Sequence, residues 1–150
     1  MIAIVQRVKK AALKADGKDF SSIGAGLFVL LGVTVDDGEA DGAILAKKCA
    51  DLRIFEDENG KMNRSVRDVG GEVLVVSNFT LCADTSHGNR PSFIRAARPE
   101  QANPLYEQFV KLLSENVPVQ TGVFGAEMEI ATVCDGPITV TLDSTCWVKR

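Results

Sequence analysis

The chain has 150 residues, 45% of them hydrophobic and 25% charged, with a net charge of −3. That length supports one domain with a substantial core, and the composition is that of an ordinary soluble globular protein. The acidic balance excludes broad nonspecific nucleic-acid binding, which needs a strongly basic face, but not the docking of a short nucleic-acid end by a few local cations.

Residues 2–8 predict an N-terminal strand and residues 11–15 a second one, with Asp16-Gly17-Lys18 as a hairpin turn signal after them. Arg7 interrupts the first apolar strand. Its guanidinium needs either solvent, as a snorkelling edge residue, or internal acceptors to clamp. Gly24-Ala25-Gly26 leads into residues 27–33, an apolar run that predicts a strand buried on both faces and is far too short to cross a bilayer. A helix is predicted from Glu39 or Asp41 to about residue 52, where Ala43, Leu45, Ala46, Cys49, Ala50 and Leu52 approximate one apolar stripe. Extended structure resumes at Arg53, and Asp57-Glu58-Asn59-Gly60 is a turn from which Lys61-Met62-Asn63 returns. The acidic turn lacks the ligand spacing and distal Glu of a calcium loop.

The rest of the chain is organised around residues 72–81. Glu72-Val73-Leu74-Val75-Val76, entered through Gly70-Gly71, reads as a strand buried on both faces. Ser77, Asn78 and Thr80 then place three short polar side chains at its end, where a rigid scaffold presents chemistry to a cleft. If the strand continues, alternation puts Ser77, Phe79 and Leu81 on one face and Asn78 and Thr80 on the other. A strand merely leaving the core, its Ser and Thr satisfying backbone groups, has the same pattern.

Residues 82–97 form a long polar loop containing Asp84, His87, Arg90-Pro91-Ser92-Phe93 and Arg95, and loops of this length are functional or mobile. Pro99-Glu100 opens a helix to about residue 116 with Leu105, Phe109, Leu112 and Leu113 on its apolar face; Pro104 marks either an irregularity or the true start. Residues 120–125 read as a glycine-flanked connector. Residues 128–133 predict a strand, which Cys134-Asp135-Gly136-Pro137 interrupts before residues 138–142 form another. Residues 143–150 have no clear period. The fold class is α+β: a β-rich sandwich or barrel carrying two helices, in one domain over residues 1–150 with 143–150 as a tail.

Cys49, Cys82, Cys134 and Cys146 are scattered without a C-x-x-C pair, so neither a zinc site nor a disulfide framework is expected. With no signal peptide before the first strand, a reducing cytoplasm is the expected compartment. A triad would have to run through His87, the single histidine, and no G-x-S-x-G elbow accompanies it. An enzyme built from this sequence must act mainly by positioning and by backbone and hydroxyl hydrogen bonds. Gly136-Pro137 has two readings, an ordinary turn between strands or a rigid backbone projection with a cis bond.

Ser77-Asn78-Phe79-Thr80-Leu81 resembles the S-Q-F-T-L motif of D-aminoacyl-tRNA deacylases, and Gly136-Pro137-Ile138-Thr139 resembles their G-P-V-T motif. Arg90-Pro91-Ser92-Phe93, Gly60-Lys61-Met62-Asn63 and the N-terminal Ile4-Val5-Gln6-Arg7-Val8 are similar to the same family, over residues 1–142.

The resemblance implies a homodimer that hydrolyses the ester joining a D-amino acid to the 3′ end of a tRNA, with no cofactor, metal or membrane partner. It implies that one subunit presents a cis Gly136-Pro137 to the other's active site, where the dipeptide's carbonyl oxygens crowd out L side chains. Glycyl-tRNA is then an expected second substrate, because glycine has no side chain to reject. The resemblance implies that Arg7 supports this dipeptide, that Thr80 and Phe79 carry catalysis, their backbone N–H groups facing the oxyanion, and that Ser77, Asn78, Met62 and Phe93 bind substrate. A nucleophilic Thr80 ranks below a positioning one, since no base is evident. Asn78 departs from the family Gln, and Cys134 stands where Asn is expected. Two rival readings are a non-catalytic nucleic-acid-binding module of the same fold and a small-ester hydrolase using Thr80.

Overall fold

The computed structural model describes residues 1–149. Its strands are β1 (Ile2–Ala15), β2 (Lys18–Ile23), β3 (Gly26–Gly32), β4 (Phe55–Glu56), β5 (Met62–Arg64), β6 (Glu72–Ser77), β7 (Val119–Thr121) and β8 (Met128–Asp143). Two helices, α1 (Glu39–Asp51) and α2 (Pro99–Ser114), complete a mixed α+β architecture in which the sheet dominates.

β1 is the spine. Residues 2–8 pair antiparallel with β3 and residues 11–15 with β2, while β8 runs along the opposite edge. β6 adds parallel to β3, and β7 parallel to β6. Both parallel connections carry a helix, as crossovers require. The sheet curls until β2 approaches β7, where the Ser21 hydroxyl donates to the Thr121 carbonyl at 2.8 Å. The result is barrel-like and nearly closed.

Two cores follow from this curl. Odd-numbered residues of β6, Val73 and Val75, join Val5, Val29 and Leu31 beneath α1 and α2, through Leu45, Phe109 and Leu113. Even-numbered Leu74 and Val76 join Phe28, Leu13 and Ile23 on the other face. The central strand is therefore buried on both sides, as its unbroken apolar run requires.

Several local expectations are corrected. β1 is one continuous strand: Lys9 and Lys10 are exposed, and β8 pairs on both sides of them across register shifts. β8 is likewise continuous through Gly136-Pro137. Between the pairs Gln6–Thr139 and Val8–Cys134, the β8 residues 135–138 lie opposite Arg7 alone, so the dipeptide sits in a bulge. The 120–125 connector contributes Gln120 and Thr121 to β7. Pro104 lies inside α2, which begins at Pro99.

The tail folds back on the start of the chain. The Met1 ammonium donates to the Asp37 carboxylate and, at 2.8 Å, to the Ser144 hydroxyl, which donates at 2.5 Å to Asp41. All of these groups are buried. Ser144–Cys146 form one 3-10 turn, and Trp147 lies 4.7 Å from the Lys48 ammonium, ring centroid to Nζ. Arg150, the end of the predicted tail, lies outside the described residues. No described helix is long and apolar enough to cross a membrane.

Candidate active site

β6 does not continue to Leu81. It ends at Ser77, and Phe79–Cys82 form a 3-10 turn, so the strand-like partition of residues 77–81 into two faces is overturned. The cause is Asn78. Its side-chain oxygen accepts from the Thr80 backbone N–H at 3.2 Å and from the Thr80 hydroxyl at 2.5 Å, capping the turn. Asn is a strong N-cap because its short side chain reaches the N–H two residues on; Gln, one methylene longer, is not. The departure from the family pattern thus places a capping oxygen at the start of the turn.

Gly32 makes room for this turn. A Cβ there would lie 2.9 Å from the Leu81 Cβ and 3.2 Å from the Asn78 carbonyl oxygen, so a side chain would push residues 78–82 off β3.

The turn opens on a cleft of about 930 Å³. Its floor comes from Leu30, Val76, Met128 and Ile130; its walls come from Ser77, Asn78, Phe79, Phe93, Ile94, residues 96–99, Ala102 and residues 124–126. Phe79 and Phe93 meet edge to face, with ring centroids 5.1 Å apart and planes at 73°. Phe79 and Ile94 remain 56% and 87% exposed, an unusual amount of apolar surface, suited to covering a flat apolar ligand. The segment that carries Phe93 is tied down by backbone bonds between Asp84 and Ser92 and between Ala97 and the Val33 carbonyl.

Of the two backbone donors expected here, Thr80 N–H is committed to Asn78. Phe79 N–H, the first of the 3-10 turn, has no acceptor among the described residues. Cys82 offers no nucleophile: burial pushes its thiol pKa up, and its Sγ lies 3.5 Å from the Val33 carbonyl oxygen. His87 lies in the exposed part of the 82–97 loop, outside the cleft lining.

Ser77, Asn78, Phe79 and Phe93 line one cleft, with Thr80 joined to it through Asn78. Met62 lies apart from it, 52% exposed on β5. Gly136 and Pro137 also lie outside their own chain's cleft, on the exposed bulge of β8; the bond between them is cis. Gly136 has φ of 124°, where a side chain would be strained.

Arg7 is an internal clamp and not a snorkelling edge residue. It is 7% exposed, and its Nη1 donates to the Ile54 carbonyl at 2.7 Å. Its Nε donates to the Asp135 carbonyl at 3.3 Å and lies 3.2 Å from the Asp135 carboxylate. The carbonyl held is thus two residues before Pro137, and Phe55 flanks the guanidinium at 5.9 Å. The Cys134 thiol lies 3.8 Å from the Thr132 hydroxyl, Sγ to Oγ1, and is not among the partners of Arg7. No three His, Cys, Asp or Glu side chains converge as metal ligands among the described residues.

Two contributions were not anticipated. Phe124, Met128 and Ile130 reach the cleft only because the sheet curls. Arg98, at the N-cap of α2, is the one ionisable residue in the lining among the described residues, and no local pattern marks it.

The curled sheet that carries this strand-end turn and cleft has the fold of proteins of known structure. One, named c-Myc DNA Unwinding Element Binding Protein, superposes with a TM-score of 0.90 at 39% identity, over 95% of this chain and 98% of that one. A probable eukaryotic D-amino acid tRNA deacylase shares the fold at TM-score 0.79 and 15% identity, over 94% and 97%. The D-aminoacyl-tRNA deacylase of Cytophaga hutchinsonii is 56% identical over 96% of this chain and 97% of its own. That of Chlorobaculum parvum is 53% identical over 96% and 98%. The family model described as D-Tyr-tRNA(Tyr) deacylase matches residues 4–143. The chain belongs to this D-aminoacyl-tRNA deacylase family, whose members are hydrolases of the aminoacyl-tRNA ester.

Proposed function

We propose that this protein hydrolyses D-aminoacyl-tRNA and acts as a chiral filter. Water adds to the ester carbonyl, the bond to the ribose oxygen breaks, the amino acid leaves as its carboxylate and the ribose oxygen takes up a proton. The observation that carries this reading is the uncommitted Phe79 N–H at the cleft wall, a preorganised donor for the oxyanion. The ester is already activated, and its neighbouring ribose hydroxyl belongs to the substrate, so positioning by Ser77, Asn78 and Phe93 supplies much of what remains. Thr80 holds the turn through Asn78. The chemistry calls for no metal or cofactor.

Selectivity in this reading comes from a second copy of the chain. Gly136 and Pro137 sit on an exposed bulge of β8, whose outer edge pairs with no described strand, and they are absent from their own cleft. In a homodimer the partner's dipeptide closes the cleft, and its carbonyl oxygens occupy the space of an L side chain. Met62, equally exposed and apart, would bind substrate only with the dimer's help. Glycine passes the filter, which makes glycyl-tRNA(Ala) a second substrate. The chain acts as one domain in the cytoplasm.

The solved relative named for DNA binding supports a second reading, a non-catalytic nucleic-acid module. One assay separates the two. Incubation with D-tyrosyl-tRNA and glycyl-tRNA(Ala) releases both amino acids under the first reading; binding without release selects the second.

A further inference from the structure

The cleft lining is apolar except for Ser77, Asn78 and one charge, the Arg98 guanidinium. Arg98 makes no side-chain hydrogen bond or ion pair among the described residues, and it does not cap its own helix. Glu100 follows in the first turn of α2 but does not line the cleft. Arg98 is exposed, and it lines the same cleft as the Phe79–Phe93 pair, so its guanidinium can meet a charged ligand that enters there.

An aminoacylated RNA end carries two charges of opposite sign, the α-ammonium of the amino acid and the phosphodiester 5′ of the terminal nucleoside. Arg98 repels the first and attracts the second. Guanidinium is weakly hydrated and presents a planar fork that matches two phosphate oxygens. The positive end of the 16-residue helix α2 lies at the same place and has the same sign. Phe79 and Phe93 supply ring surface for a base, and base–aromatic stacking tolerates any base.

We propose that Arg98 receives the phosphodiester between the last two nucleotides of the RNA, and so fixes which way the terminal nucleoside enters the cleft. This rests on the functional reading above. Arg98 is a specificity residue that separates RNA-borne esters from nucleoside or simple esters, and it takes no part in bond breaking.

The test uses three stable amide analogues of the substrate end: D-tyrosyl-amino-adenosine, its 5′-monophosphate, and the same amide at the 3′ end of the trinucleotide CCA. Binding to wild type, Arg98→Gln and Arg98→Lys is measured across salt concentration, with circular dichroism to verify folding. Arg98→Gln weakens the trinucleotide about tenfold more than the nucleoside, as loss of one charge-assisted phosphate contact implies. Its salt slope falls by about 0.7, one single-strand phosphate. Arg98→Lys recovers part of the difference. The monophosphate shows whether a free phosphate suffices or the bridging diester is required, and a tenfold effect on it alone overturns the diester assignment. Equal weakening of all three ligands, no weakening of any, or no binding by wild type overturns the proposal. Failure of the catalytic reading is distinct: wild type then cleaves neither aminoacyl ester while the Arg98 ratio stands.

Discussion

The Asn78 side-chain oxygen accepts both the backbone N–H and the hydroxyl of Thr80, at 3.2 and 2.5 Å. The Thr80 proton thus points at an amide oxygen, which is no base, and the hydroxyl is held as a structural donor. We expect Thr80→Ala to keep activity within about tenfold of wild type, because an activated nucleophile would cost several orders of magnitude. Asn78→Ala should cost more activity than Thr80→Ala, together with about 1 kcal/mol of stability from the lost cap. Single-turnover deacylation and urea denaturation measure both. An acyl group trapped on Thr80 would contradict the assignment.

Arg7 binds Ile54 and Asp135 at once. Arg7→Ala leaves the buried Ile54 carbonyl without its donor, a loss of about 1–3 kcal/mol; the pair with the partly exposed Asp135 adds little. The same change frees the Asp135 backbone beside Gly136, so the preference for D over L substrates should fall. Arg7→Lys should retain stability better than selectivity, since an ammonium lacks the fork that reaches both acceptors. Selectivity unchanged in a folded Arg7→Ala protein would remove Arg7 from the filter.

How far the sequence reaches is clearest in β6. Its unbroken Val-rich run reported burial on both faces, because that burial depends only on apolarity and length. The turn after it was not legible: Asn78 reads as one more alternating position until its side chain is seen capping Thr80. β1 and β8 looked interrupted at Lys9-Lys10 and at 134–137, yet ladder continuity is decided by the opposite strand, which tolerates a bulge. β7 is three residues long and has no local pattern of its own. Arg7 could be flagged as misplaced in an apolar strand. Arg98 could not, because its meaning depends on α2 beginning beside residues distant in the chain.

Met1, Asp37, Asp41 and Ser144 form a buried polar group, and none of the four lines the cleft. Asp37→Ala removes the carboxylate that the buried Met1 ammonium donates to, a loss of about 3 kcal/mol or more. Ser144→Ala should cost about 1 kcal/mol. Both should leave the deacylation rate constant of the folded protein unchanged. A selective loss of catalysis without loss of stability would contradict this separation.

Burial pushes the Cys49 thiol up to about 12 and the Tyr106 phenol also to about 12. Each group stays protonated in the folded state while its unfolded counterpart ionises, at about pH 9 for the thiol and about 10 for the phenol. The unfolded state then binds fewer protons, so stability is fully present below pH 9 and falls as pH rises toward 12. The slope approaches about 1.4 kcal/mol per pH unit for each ionising group. Cys49→Ala should remove the part of the decline that begins near pH 9, as followed by urea denaturation at successive pH values. An unchanged decline in that variant would place its origin elsewhere.

The measurement that bears most directly on the chiral filter is a paired time course: one tRNA charged with D-tyrosine and with L-tyrosine, at equal enzyme concentration. The account predicts rapid release of D-tyrosine with L-tyrosyl-tRNA decaying no faster than without enzyme. Comparable rates for the two would contradict it, even with the hydrolysis itself established.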